Sequence, residues 1–240
     1  MQLLGEGGTV AYYNNAILLT GLTGLITMIP CLYFYKKDCR ARIAGGLVTG
    51  QKPNRLSIGE CGLILVMGAG FAQFANMFVN MIGSFLNAEE YQETMSQLTD
   101  GKSMFFLIVC MGIIAPLAEE IVFRWLIYLR LRDYMRMGAA AVISGLIFGI
   151  YHGNLVQAVY ASLLGIVFAY ILDISGCLWS SVLLHMGANI WSLISPDLYT
   201  WIIARNPAAI MILFLILLMV MILGCFYFTK RVQGRSKRVI

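Results

Sequence analysis

The sequence predicts an all-α protein, a polytopic transmembrane helical bundle of about seven spans with a buried polar site. Three observations carry that prediction. Of its 240 residues 60% are hydrophobic, and the mean hydropathy is +0.79, whereas ordinary soluble domains run at roughly 45–50% apolar. Only 12% of residues are charged, and these fall in short clusters instead of lining helix faces. Between the clusters lie apolar runs of about 20 residues, the length a helix needs to cross a hydrocarbon core. No stretch is left over for a soluble domain, so residues 1–240 read as one membrane-embedded unit. The net charge of +5 fits basic cytoplasmic loops and gives no reason to expect a nucleic-acid partner.

The first run extends from about Asn14 to Tyr35. Met1 to Gly8 carries no basic residue ahead of it, so a spanning helix is expected there and not a cleaved leader. Lys36, Lys37, Arg40, Arg42, Lys52 and Arg55 follow against a single acid, Asp38, which predicts a cytoplasmic loop. Ile58 to about Ile82 is the second span. Its Gln73, Asn76 and Asn80 share one helix face and are expected to hydrogen-bond to neighbouring helices. Gly83 to Ser103 is an acidic connection, with Glu89, Glu90, Glu93 and Asp100 against Lys102, and its sign places it outside.

The third run starts at Met104 and reaches about Leu131. Pro116 inside it frees a backbone carbonyl and predicts a kink. Trp125, Arg130, Arg132, Asp133 and Arg136 then read as a basic topology anchor at the cytoplasmic face. Gly138 to about Tyr151 is a short fourth span whose Gly145 and Gly149, four apart, invite close approach of another helix. Leu155 to Ile174 is the fifth, with Ala161, Gly165 and Ala169 similarly spaced, and the Ser175-Gly176 pair ends it. Cys177 to about Ile194 is the sixth. Pro196 and Pro207 bracket a connection, and Ala208 to Phe228 is a seventh span. The basic tail, Lys230, Arg231, Arg235, Lys237 and Arg238, predicts a cytoplasmic C-terminus. The six cysteines are scattered without a C-x-x-C pair, which suits small core residues and implies neither a disulfide frame nor a zinc cage.

The candidate chemistry sits inside the third run, in Ala115-Pro116-Leu117-Ala118-Glu119-Glu120-Ile121-Val122-Phe123-Arg124. Ionisable groups in a membrane span cost roughly 3 kcal/mol each on insertion scales and are functional candidates for that reason. Glu120 and Arg124 are four apart and can pair along the helix. Glu119 points about 100° away and has no partner within its own stretch. The chain has two histidines, and both lie in apolar runs. His152 follows Phe148 by four residues, and His185 precedes Asn189 by four, so imidazole and amide point the same way. A carboxylate and two imidazoles meeting in a wet pocket can activate water as a general base. The same donors could instead hold a divalent metal such as zinc and lower the pKa of its bound water.

Taken in order, Glu119-Glu120-x-x-x-Arg124, Phe148-x-x-x-His152 and His185-x-x-x-Asn189, with Leu178-Trp179-Ser180-Ser181 ahead of the last, resemble the CPBP family, the CAAX proteases and bacteriocin-processing enzymes also called Abi. The motif-bearing region is 104–191. The resemblance implies an intramembrane endopeptidase acting on a membrane-associated protein or peptide precursor. It implies Glu119 as the general base, His152 as the group that holds the water, Glu120 and Arg124 as a stabilising ion pair, and His185 and Asn189 as oxyanion donors. It implies no firmly bound cofactor and leaves a divalent metal open, since no H-E-x-x-H zinc helix is present. The short loops look like those of a bacterial member, which implies a bacterial cell membrane and roles such as precursor processing, bacteriocin self-immunity or quality control. Two other readings of the same residues are a proton- or ion-coupled transport protein and a non-catalytic membrane scaffold.

Counting along the spans leaves one difficulty. Glu119 falls towards the cytoplasmic half of the third run and His152 near the far end of the fourth, so the two meet only if the third helix runs long and tilted or the fourth begins late.

Overall fold

The computed structural model describes residues 5–48, 54–83 and 88–232. Lys52, Arg235, Lys237 and Arg238 of the predicted basic segments lie outside those residues. The described residues form eight helices and no strand: α1 (Gly5–Ala44), α2 (Ile58–Met81), α3 (Ala88–Thr99), α4 (Met104–Tyr134), α5 (Met137–Tyr151), α6 (Leu155–Ser175), α7 (Leu178–Ile203) and α8 (Ala209–Val232). Five of these, α1, α2, α4, α6 and α8, are long and apolar enough to cross a membrane. α5, at 15 residues, is shorter than a full span, and α7 is long enough but, with its serines, histidine and asparagine, is not apolar enough to be counted with the five. The chain is therefore a helical membrane bundle.

α7, with its buried polar side chains, sits at the centre, and the reason is solvation. α7 holds Ser180, Ser181, His185 and Ser195, all buried, and lipid offers these groups no hydrogen-bond partner. Greasier helices shield it. α1 and α8 lie at the periphery, with most of their surface directed outward.

Lipid tails are as apolar as the helices, so contact between helices depends on close packing of backbones. α2 and α7 achieve it through Gly68 and Gly187. A Cβ at Gly68 would fall 2.1 Å from the Leu184 carbonyl oxygen, and one at Gly187 would fall 2.1 Å from that of Leu65. The predicted small-residue contact of the fourth span is the α5–α6 seam, where a Cβ at Gly149 would come 2.1 Å from Ser162 Oγ and 2.3 Å from the Ala158 carbonyl oxygen.

Several expectations need correction. The acidic connection contains the amphipathic helix α3, which buries none of its residues. α1 continues through the basic residues as far as Ala44, where Arg42 and the acid Asp38 find counter-charges on a neighbouring helix. Arg42 holds Asp133 of α4 through two bonds of 2.8 and 2.9 Å. Arg130 pairs with Asp38, and Arg132 meets Asp173 of α6 at 2.9 Å. The stretch read as an anchor thus also ties α1, α4 and α6 together. α7 runs through Pro196 to Ile203 instead of stopping at Ile194. A proline removes one helical bond only, and Tyr199 beyond it donates a hydrogen bond to Gln73 of α2, which also accepts from Trp191 Nε1 at 3.0 Å. Of the three amides on the second span, Gln73 makes the interhelical bonds.

Candidate active site

The third span is one continuous helix that twice departs from α geometry, as π-helix over Ile108–Ile114 and Ile121–Tyr128, on either side of an α turn at Ala115–Glu120. At the first, the Ala115 N–H bonds to the Cys110 carbonyl, five residues back. In that register the next donor would be residue 116, aimed at Met111. Pro116 has no N–H. The Met111 carbonyl is therefore left to another partner, and Asn189 Nδ2 of α7 donates to it at 2.9 Å. The expected kink is thus a change of helical register, and it docks the helix of the glutamates onto the helix of His185 and Asn189. π turns of this kind are frequent at functional sites.

Glu120 and Arg124 are both wholly buried, with Oε1 and Nη1 3.1 Å apart. The contact is close but not aligned for a hydrogen bond, and among the described residues no guanidinium nitrogen of Arg124 has a hydrogen-bond partner. The charge rests instead on aromatic faces, its Cζ lying 4.4 Å from the Phe148 ring centre and 5.2 Å from that of Phe168.

His185 stands between the two acids. Its Nδ1 is 3.0 Å from Glu120 Oε1, and its Nε2 is 3.5 Å from Glu119 Oε2. Glu119 retains 19% of its side-chain exposure, whereas Glu120 has none. The outer acid can meet water and the inner one cannot. His152 closes α5, and its Nδ1 lies 2.9 Å from the Phe148 carbonyl. A carbonyl only accepts, so Nδ1 carries the proton and Nε2 keeps its lone pair. Phe148 joins the two imidazoles, its ring lying edge-on to His152 at 4.9 Å and to His185 at 5.5 Å.

The difficulty over depth disappears at the α4–α5 turn. Glu119 lies fifteen residues before Tyr134, the end of α4, and His152 fifteen residues after Met137, the start of α5. At 1.5 Å per residue both stand about 22 Å from that turn. Ser144 Oγ, donating to the Phe123 carbonyl at 3.0 Å, holds the two helices in register.

All six predicted residues, Glu119, Glu120, Arg124, His152, His185 and Asn189, come from α4, α5 and α7 and share a common neighbourhood. His185 faces the carboxylates with both nitrogens, and Asn189 spends one amide hydrogen on Met111. Among the described residues no set of three or more His, Cys, Asp or Glu side chains is arranged to hold a metal ion. Nothing in the sequence marked Phe168, whose ring stacks on His185, because one phenylalanine in an apolar span looks like any other. Nor did it show that Gly165 stands against Arg124 instead of serving helix packing alone.

Fold and site together define a helical integral membrane protein with an acid–imidazole centre inside the bundle. Comparison with known proteins shows what this centre is similar to. Residues 101–191 match the family described as "Type II CAAX prenyl endopeptidase Rce1-like". The chain is also similar to the "Putative membrane peptidase YdiL" of Bacillus subtilis (strain 168), with 27% identity over 187 residues, covering 77% of this chain and 75% of that protein. No solved structure matches. The core of the chain is thus similar to the CPBP, or CAAX-protease, family, and the second match extends the likeness over most of its length. Both support a CAAX-protease-type intramembrane peptidase.

Proposed function

We propose that the protein hydrolyses a peptide bond of a membrane-associated protein or peptide precursor, using water activated by Glu119. The observation that carries this reading is the pair of carboxylates bridged by one imidazole, of which only Glu119 reaches solvent. Water held by His152 Nε2 gives a proton to the Glu119 carboxylate as its oxygen attacks the scissile carbonyl carbon. The carbonyl oxygen becomes an oxyanion and takes a hydrogen bond from the second amide hydrogen of Asn189. His185 Nδ1 donates to Glu120. When the ring is protonated, Nε2 also carries a hydrogen, which orients the Glu119 carboxylate and, once that carboxylate has taken the proton from water, becomes a second donor to the oxyanion. Glu119 then returns the proton to the amide nitrogen, the C–N bond breaks, and acid and amine leave.

Glu120 and Arg124 touch no reacting atom in this scheme. Their charges fix His185 and offset each other's burial. A single lost oxyanion donor costs about 3 to 4 kcal/mol of transition-state stabilisation, and loss of the general base costs at least as much.

The test is cleavage of membrane-tethered peptides, with and without a C-terminal prenyl group, by purified protein in liposomes. Glu119→Gln and His152→Ala are each expected to reduce cleavage by about 100-fold or more. Wild-type rates from either would remove that residue from its role. Cleavage that persists through chelation identifies water activation by the protein alone. Cleavage lost to a chelator and restored by one divalent ion identifies a metal.

A further inference from the structure

α6 contributes none of the three motifs, yet its inner face lies against both His185 and Arg124 of the centre. Phe168 is wholly buried. Its ring stacks on His185 with centres 4.6 Å apart and planes at 27°, and the same ring lies 5.2 Å from the Arg124 guanidinium. One helical turn earlier is Gly165, where a Cβ would fall 2.7 Å from Arg124 Nη2.

The geometry at His185 makes a demand that its hydrogen bonds cannot meet alone. Two nitrogens of one rigid ring must face two different carboxylates, at 3.0 Å and 3.5 Å. A rotation about the Cβ–Cγ bond carries both nitrogens off their targets together. A flat surface nearly parallel to the imidazole blocks that rotation, and Phe168 is that surface. Phe148 meets the ring edge-on, at 81°, and so limits sliding but not rotation. Phe168 also offers a π face to Arg124, whose guanidinium nitrogens find no hydrogen-bond partner among the described residues, and such faces attract cations.

We infer that Phe168 is a positioning residue of this centre, fixing the ring plane of His185 so that it bridges Glu119 and Glu120, with Gly165 leaving the space that lets Arg124 lie beside it. The inference rests on the catalytic reading given above, and one of its readouts is independent of that reading. The chain has two histidines, so protein labelled with 15N-histidine yields two imidazole signal sets, assigned through His152→Gln. Phe168→Leu and Phe168→Met remove the flat ring at similar volume, and Phe168→Tyr keeps it.

In Phe168→Leu and Phe168→Met the His185 ring nitrogens are expected to shift and broaden as the ring samples other orientations, while those of His152 stay in place. In the cleavage assay kcat falls about tenfold or more with KM within twofold, the mark of lost orientation, and Phe168→Tyr recovers most of it. Unchanged His185 nitrogens in a folded Leu or Met variant would overturn the inference even if cleavage suffers. So would equal disturbance of both histidines with a fall in thermal stability, since that is the signature of packing alone. Failure of the catalytic reading appears separately, as full cleavage by Glu119→Gln.

Discussion

Arg124→Met isolates the electrostatic design of the site. The side chain has no exposure and lies 3.1 Å from an equally buried carboxylate. At an effective dielectric constant of 20, a unit pair at that separation is worth about 5 kcal/mol of Coulomb energy. Removing one member of a buried pair is measured at roughly 3–5 kcal/mol, because the other charge is left uncompensated. Here Glu120 keeps a second partner in His185 Nδ1 at 3.0 Å, which lowers the expectation to about 3 kcal/mol. Methionine itself fits, as its thioether packs well between aromatic rings such as Phe148 and Phe168. The double variant Glu120→Gln/Arg124→Met should recover to within about 1 kcal/mol of wild type, since no lone charge remains, yet stay deficient in cleavage. The assay is reversible unfolding in mixed micelles, followed across the four corners of the cycle. Wild-type stability in Arg124→Met, or a double variant costing the sum of the two singles, would refute the reasoning.

Other perturbations test the packing and the register. Gly149→Ala forces a methyl to within 2.1 Å of Ser162 Oγ and 2.3 Å of a backbone oxygen, so α5 and α6 must separate. Overpacking of this kind costs about 1–3 kcal/mol, read as lost stability in micelles, whereas Gly138→Ala, with open space around it, should leave stability unchanged. Asn189→Ala strands the Met111 carbonyl, at about 1–2 kcal/mol. Pro116→Ala restores an N–H one π turn from that carbonyl, so the double variant should be more stable than Asn189→Ala alone, and additive losses would show that the π register does not matter.

The class of the protein, most of its helices and the identity of the polar residues were legible along the chain. Apolar runs the length of a bilayer and acids that no lipid would tolerate are local facts, and they survive without knowing any neighbour. The small residues of the fourth span, Gly145 and Gly149, likewise announced a seam before its partner was known. Which of these groups meet depends on how the helices pack. Glu120 and Arg124 could be paired from their spacing, but the place of His185 between both acids depends on α7 crossing α4, and no local pattern encodes a crossing. Register was equally hidden: the missing N–H of Pro116 predicted a bend, whereas the carbonyl it releases is captured by Asn189, 78 residues away. The extension of α1 past its apolar run, and of α7 past Pro196, came from partners on other helices, Asp133 for Arg42 and Gln73 for Tyr199. Charge and proline are read along the chain as signals to stop, and a buried counter-charge or a hydrogen-bond acceptor across the bundle cancels them.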